Sequence, residues 1–443
     1  MLSTQQPVSE DIAARRQAPA GHRQPALNDP PSDVARRQES GQPAEPTRDG
    51  AGGSAGPKNH RSGSAVLTGL LTKSISCELR YQDYLATNNR RAFDGLRGLG
   101  FLLVVTAHVP SVRLFDYLQG WAAVWIFLVM SGYLVTMLMT REEKRVGRIA
   151  FGAFLVRRFF RIVPSYWMAI LLYWLACYAL PPLQEAYPRF MTRLPAYLAF
   201  MPEYADTDGY SIFTHAWTVG VELKFYLLFP PVLFLMLKNA NWRFAATAIA
   251  AALFAAHGAF LAEAYCAVLF GAMLALSLEQ PGGYAFITKL TRVPAVVPLA
   301  LIVGLLALLH FGERFIVLAA VMTYLLAYTI VQESTVSRML TWRPLAYIGQ
   351  RSYGAYLLHF LALRTGYMIF GNVSTTSGLL AAGFCLVLAV PAAELLYRTI
   401  ERPGRDYGQR LLSRARIGAV PQTSATPRRL IVDRAADTAG HRR

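Results

Sequence analysis

The chain has 443 residues, of which 54% are hydrophobic and only 16% charged, well below the roughly 25% charge of soluble chains. That balance excludes a soluble multidomain protein, a collagen, a coiled coil and a chain disordered throughout. The net charge of +17 would suggest nucleic acid in a soluble protein, but the basic residues fall between apolar runs and in the C-terminal tail, where membrane topology accounts for them and no nucleic-acid partner is expected.

In chain order, residues 1–75 are rich in Ala, Pro, Gly, Ser, Gln and Arg, lack a helical apolar period and read as a disordered polar tail. No apolar core of a secretory signal lies within Met1–Gly63, so the first insertion signal is expected to be internal. Ten apolar runs follow, at 95–112, 119–139, 160–180, 216–237, 242–260, 263–279, 295–310, 314–331, 347–370 and 378–397. Against a requirement of about 17 to 25 residues for a hydrocarbon core, 263–279 and 295–310 are short. The expected fold class is all-α, a polytopic membrane bundle of about ten transmembrane helices. Basic residues concentrate before span one and after the even-numbered spans, for example Arg141, Lys144, Arg145 and Arg148 after span two and Lys238 and Arg243 after span four. Both termini are therefore expected in the cytoplasm. The domain reading is a tail at 1–75, a membrane domain at 76–404 and a basic cytoplasmic tail at 405–443. Cys77, Cys177, Cys266 and Cys385 are dispersed, so neither a disulfide framework nor a metal site is expected.

Ionisable residues inside such spans cost about 2.5 to 3.5 kcal/mol at a helix centre and point to function. Arg97 and His108 of span one are eleven residues apart, which on an ideal helix places them on one face about 16 Å apart. The bland reading has Arg97 reaching the headgroups and His108 as a satisfied core histidine. Arg157, Arg158 and Arg161 open span three, either as a topological anchor or as a phosphate clamp in which Arg157 and Arg161 share a face at i,i+4. Pro164 would kink that helix beside a ligand. Glu222 and Lys224 interrupt span four, and His359 lies beside Ser352 and Tyr356 in span nine. Glu394, Arg398 and Glu401 read as an ion-pair set at a helix end.

Six segments in order, FDGLRGLGFLLVVTAH (93–108), FLVMSGYLVT (127–136), FLVRRFFRIVPSYW (154–167), WTVGVELKFYLLFPPVL (217–233), SYGAYLLH (352–359) and YRTIERP (397–403), resemble the acyltransferase family 3 membrane proteins, which O-acylate extracytoplasmic carbohydrates. The resemblance covers about residues 90–404. It implies an acyl-CoA donor, acetyl-CoA in the first instance, drawn from the cytoplasmic side as a substrate rather than a bound cofactor. It also implies an acceptor hydroxyl reached from the other side. The family's Arg-x10-His motif falls on Arg97 and His108, with His108 catalytic, and its coenzyme-A-associated arginines fall on Arg157, Arg158 and Arg161. Its carboxylate falls on Glu222, with Thr218, Gly220 and Lys224 standing where the usual pattern has Ser, Ser and Gln. Its Ser-Gly step falls on Ser131 and Gly132, and Ser131 and His359 are expected at the substrate site.

Transfer from a thioester to a sugar hydroxyl needs a base of near-neutral pKa, which suits His108, and a carboxylate such as Glu222 would fix its tautomer. The expected activity is a multi-pass O-acyltransferase of a bacterial inner membrane, acting on a polysaccharide, O-antigen or lipid-linked glycan beside polysaccharide biosynthesis machinery. Some family members carry a hydrolase-like domain after the membrane part; here such a partner is expected to be a separate protein, or the acceptor to be handled by the membrane domain alone. The competing reading is a transporter or flippase, which would carry an inverted repeat; none is visible between spans one to five and six to ten.

Overall fold

A computed structural model describes residues 80–86, 90–205, 211–312, 315–371 and 374–415. The chain divides into two units, residues 1–75 and 76–443, and all described residues lie in the second. The tail expected over 1–75, the basic residues beyond 415 and Cys77 lie outside the described residues.

Every regular element among the described residues is helical. The principal helices are α1 (80–86), α2 (Arg90–Ala107), α3 (Ala123–Val146), α4 (Phe151–Ala179), α5 (Trp217–Met236), α6 (Ala240–His257), α7 (Phe260–Leu278), α8 (Pro281–Thr291) and α9 (Val296–His310). They continue with α10 (Phe315–Val331), α11 (Arg343–Phe370), α12 (Thr375–Leu396) and α13 (Arg402–Arg414), the last two joined by a π-helical turn, Tyr397–Glu401. Each of the ten expected runs falls on a helix. By length and composition, however, five stretches among the described residues are long and apolar enough to cross a membrane: Arg113–Val146, Phe151–Ala179, Thr214–Met236, Phe260–Leu278 and Thr375–Arg414. A sixth arises if α8 and α9, bent by 79°, count as one. The first expected run falls short because α2 carries Arg90, Arg91, Asp94 and Arg97 within its first eight residues. The helical body also runs past the boundary expected at 404, to Arg414.

Helices suit these segments because hydrocarbon offers backbone groups no hydrogen bonds, so each must be satisfied within its own segment. Large apolar side chains face outward as well as inward: Val296, Leu299 and Val303 form an exposed stripe on α9, the surface of a bundle that meets lipid. Two crossings bring backbones into contact through glycine, as lipid-embedded helices do when small residues line the seam. On α2 and α11, a Cβ at Gly349 would sit 1.6 Å from the Asp94 carbonyl oxygen and one at Gly98 2.2 Å from that of Leu345. On α3 and α7 the fit is reciprocal: Gly132 would meet Val268 O at 1.8 Å and Gly271 would meet Val129 O at 1.9 Å. These seams fix the helices that carry Arg97, Ser131 and Tyr356. Between α4 and α5 the chain forms short helices, including Tyr187–Leu198 and Pro202–Ala205.

Candidate active site

Arg97 from α2, Arg158 and Arg161 from α4 and Arg405 from α13 converge on one cavity of about 140 Å³, with Glu222 and Glu401 on the same wall. None of the four arginines forms an ion pair among the described residues. Four guanidinium groups against two carboxylates leave the cavity positive, and unpaired arginine forks match phosphate or carboxylate oxygens. Arg158 is held by rings rather than by acid: its guanidinium lies 5.4 Å from the Phe154 centroid and 5.2 Å from that of Tyr226, a contact that fixes a cation without neutralising it.

Ser131 and Tyr226 share a hydrogen bond, and the Tyr226 hydroxyl donates to Glu222 Oε2 at 3.1 Å. Glu222 is thereby oriented toward the arginines. The inner cavity opens into a larger one of about 700 Å³, which shares Arg97, Arg158, Arg161 and Arg405 with it.

At the deep end of the inner cavity stand Thr218 and Tyr356. Tyr356 Oη donates to the backbone oxygen of His215 at 2.9 Å and accepts from Thr218 Oγ1 at 3.2 Å. Behind Tyr356 are three imidazoles in ring contact. His215 and His359 have centroids 4.9 Å apart, and His359 and His108 5.1 Å apart. His108 Nδ1 is 2.9 Å from the Val104 carbonyl oxygen; with the proton on Nδ1, Nε2 carries the lone pair of a general base. The Tyr367 hydroxyl donates to the backbone oxygen of His108 at 2.8 Å and holds the loop beyond α2. Among the described residues, no group of three His, Cys, Asp or Glu is disposed to hold a metal ion.

The structure brings Arg97, Arg158, Arg161, Ser131 and Glu222 together, and brings His108 and His359 together in the adjoining cluster. Arg157 stays apart: its side chain is 42% exposed and pairs with Glu142 at 3.4 Å. Of the three, Arg158 and Arg161, at i,i+3, line the cavity, and the pair Arg157 and Arg161 expected at i,i+4 does not share it. Arg97 lines the cavity, whereas α2 ends at Ala107 and His108 lies in the turn that follows, in contact with His359. Glu222, expected as the orienter of His108, is bonded to Tyr226, and the group beside His108 Nδ1 is the Val104 carbonyl, one helical turn earlier on the same segment. Glu394 pairs as expected with Arg398 and also, unexpectedly, with Arg351, each at 2.5 Å, whereas Glu401 lines the cavity instead of joining the set.

His215, Tyr226, Tyr356 and Arg405 were not among the residues expected from the sequence. Tyr226 carried a signal, standing four residues after Glu222 and hence on its helix face. His215 precedes span four and carried none.

An all-helical, multi-pass body enclosing a positive cavity beside buried histidines defines a membrane-embedded site for an anionic ligand. The chain belongs to the acyltransferase 3 family: a family model described as an acyltransferase domain matches residues 90–398. It is similar to the peptidoglycan O-acetyltransferase OatA of Listeria monocytogenes, 25% identical over 357 residues, covering 72% of this chain and 56% of that protein. It is also similar to the O-acetyltransferase OatA of Staphylococcus aureus, 22% identical over 356 residues, covering 71% of this chain and 57% of that protein. The chain thus spans a little over half the length of these relatives. No solved structure matches it.

Proposed function

We propose that the protein is an O-acetyltransferase of a bacterial inner membrane that moves an acetyl group from cytoplasmic acyl-CoA to a hydroxyl of a cell-envelope glycan. The observation that supports this reading is the cavity on which Arg97, Arg158, Arg161 and Arg405 converge without ion pairs among the described residues, lined also by Tyr356, whose ring meets His215 and His359. In this reading about ten helices cross the membrane, counting those with charged ends, and both termini are cytoplasmic. The names of the relatives make peptidoglycan the first acceptor to test, ahead of O-antigen, other polysaccharides and lipid-linked glycans.

Arg158 and Arg161 hold donor phosphates, and Arg97 and Glu222 set the charge around the thioester arm. The apolar wall of Val124, Phe127 and Val219 leads that arm toward Tyr356. The acceptor hydroxyl approaches from the opposite face, where His108 Nε2 takes its proton. The oxygen attacks the thioester carbonyl, the new C–O bond forms, the C–S bond breaks, and the departing thiolate takes up a proton. Positioning of this kind, with a base held in one tautomer, is what a buried site adds over solution.

The test is mass spectrometry of envelope glycans from a deletion strain complemented with wild type or with His108→Ala at matched membrane abundance. Wild type is expected to restore O-acetyl groups and His108→Ala to leave them absent. Equal restoration by both would remove His108 from catalysis, and absence of an O-acetyl difference between deletion and wild type would remove the activity itself.

A further inference from the structure

Helix α1 (80–86) lies before the residues that the family model matches, 90–398. It is nonetheless fastened to the body at several points. Tyr81 Oη donates to the Glu279 backbone oxygen at 3.0 Å, and Tyr84 Oη donates to Glu279 Oε1 at 3.1 Å and meets the Tyr133 hydroxyl at 3.2 Å. The Tyr284 hydroxyl donates to the Arg80 backbone oxygen at 3.3 Å, and the rings of Tyr81 and Tyr84 both pack against Tyr284 with centroids 5.3 Å apart. Glu279 is a fixed post for these contacts, because its side chain is wholly buried and paired with Arg141 at 2.7 Å and with Lys144. Burial, with Tyr133 and Glu279 close by, raises the Tyr84 phenol well above its usual range, so it keeps the proton it donates.

A strap of this kind need only be apolar to seal a cavity, yet α1 places Arg80, Asp83 and Tyr84 on the wall of the larger cavity, the one shared with Arg97, Arg158 and Arg161. The Arg80 guanidinium has no ion-pair partner among the described residues. Sizes decide what each cavity takes. Pockets for small-molecule and cofactor ligands run about 300 to 1,000 Å³, a range that includes the outer cavity at about 700 Å³ and leaves out the inner one at about 140 Å³. A nucleotide thioester carries phosphate at its nucleotide end and none on its thioester arm, so the outer cavity takes the nucleotide and the inner cavity the arm.

We infer that Arg80, supplied from outside the family domain, binds a phosphate at the nucleotide end of the thioester donor, with Asp83 beside it as an acceptor for the amino group of the base. This rests on the acyl-CoA reading above. α1 is then a specificity element: it distinguishes a nucleotide-bearing thioester from a short one, while Arg158 and Arg161 serve the phosphates nearer the arm.

The experiment measures equilibrium binding of coenzyme A and of pantetheine, which lacks the nucleotide, to full-length protein in detergent, for wild type, Arg80→Ala and Arg80→Lys at equal folded fraction. Loss of one charge-assisted hydrogen bond is expected to weaken coenzyme A binding about tenfold or more. Pantetheine binding should not change, and Arg80→Lys should fall between the two, because an ammonium keeps the charge without the fork. Coenzyme A binding by Arg80→Ala equal to wild type would overturn the inference, and so would equal weakening for both ligands, which would mark α1 as structural. Wild type that binds neither ligand would overturn the donor reading and this inference with it. Wild type that binds both, with Arg80→Ala affecting neither, would overturn the inference alone.

Discussion

Lys224 and Glu203 are ion-paired, and the pair accounts for two departures from the family pattern at once. Lys224, where Gln is usual, also donates to the Phe200 carbonyl oxygen at 2.9 Å. Gly220, where Ser is usual, leaves room for the partner: a Cβ there would lie 2.3 Å from Glu203 Oε2. Because the Glu203 side chain is only 1% exposed, the lysine and the glycine are needed together. The pair ties the connection between α4 and α5 to the helix that carries Glu222.

Gly220→Ser is expected to push the Glu203 carboxylate off Lys224 and to destabilise the protein by about 1 to 3 kcal/mol, the usual range for overpacking. Thermal unfolding in detergent measures it. Lys224→Gln alone should cost about 3 to 5 kcal/mol, since it leaves a buried carboxylate without its cation, and Glu203→Gln added to it should recover much of the loss. Simple additivity of the two changes would show that the pair is not coupled.

The arginine cluster divides by function. Arg158→Ala and Arg161→Ala are expected to raise KM for acyl-CoA about tenfold or more, as expected for one charge-assisted contact each. Arg157→Ala, whose side chain pairs with Glu142 outside the cavity, should leave KM unchanged. Steady-state kinetics on the three variants checks this. A rise in KM for Arg157→Ala matching the other two would restore the full three-residue clamp.

Glu222 accepts a hydrogen bond from Tyr226, and in the proposed reaction it acts through that contact rather than on His108. Glu222→Gln and Tyr226→Phe should therefore be strongly non-additive in kcat/KM, with a coupling of about 0.5 to 3 kcal/mol. Glu222→Gln and His108→Ala should each lower the rate independently, His108→Ala by about 10² to 10⁴. Double-mutant cycles on both pairs decide it. Coupling between Glu222 and His108 larger than between Glu222 and Tyr226 would reinstate the carboxylate as orienter.

Gly349→Ala is expected to lower membrane abundance and activity together, since its Cβ would meet the Asp94 backbone oxygen at 1.6 Å and force α2 from α11. Gly304 on α9 provides the control: nothing lies within 4 Å of its added Cβ, so Gly304→Ala should be neutral or slightly stabilising by helix propensity. Immunoblots of membrane fractions and thermal unfolding compare the two.

Much of the architecture was legible because apolar runs separated by basic turns carry both helix and membrane information, and each expected run falls on a helix. What the runs could not supply was facing. The i,i+4 spacing of Arg157 and Arg161 is equal in merit to the i,i+3 spacing of Arg158 and Arg161 until α3 supplies Glu142 as a partner for Arg157. The eleven-residue return from Arg97 to His108 assumes a helix that continues, and α2 ends one residue early. His215 joins the site from a turn between short helices, where no periodicity marks it. Glu401 and Arg405 were placed at a helix end and in a tail because the sequence shows the charges and not the turn that swings them inward.

That turn sets a phase. A π turn holds one residue more than an α-helix needs for the same rise, so Tyr397–Glu401 advances everything after it by about 100° around the axis. Arg405 meets the cavity and Gly408 meets the Phe160 ring, 2.8 Å from its added Cβ, only in that advanced setting. Deleting one residue, Thr399, would let the segment relax to a plain α-helix and rotate α13 back as a rigid body, carrying Arg405 out of the cavity with its identity unchanged. The site is therefore sensitive to chain length at this point as well as to chemistry. A one-residue deletion here would mimic an arginine knockout, and a compensating insertion just before Arg405 would bring the charge home.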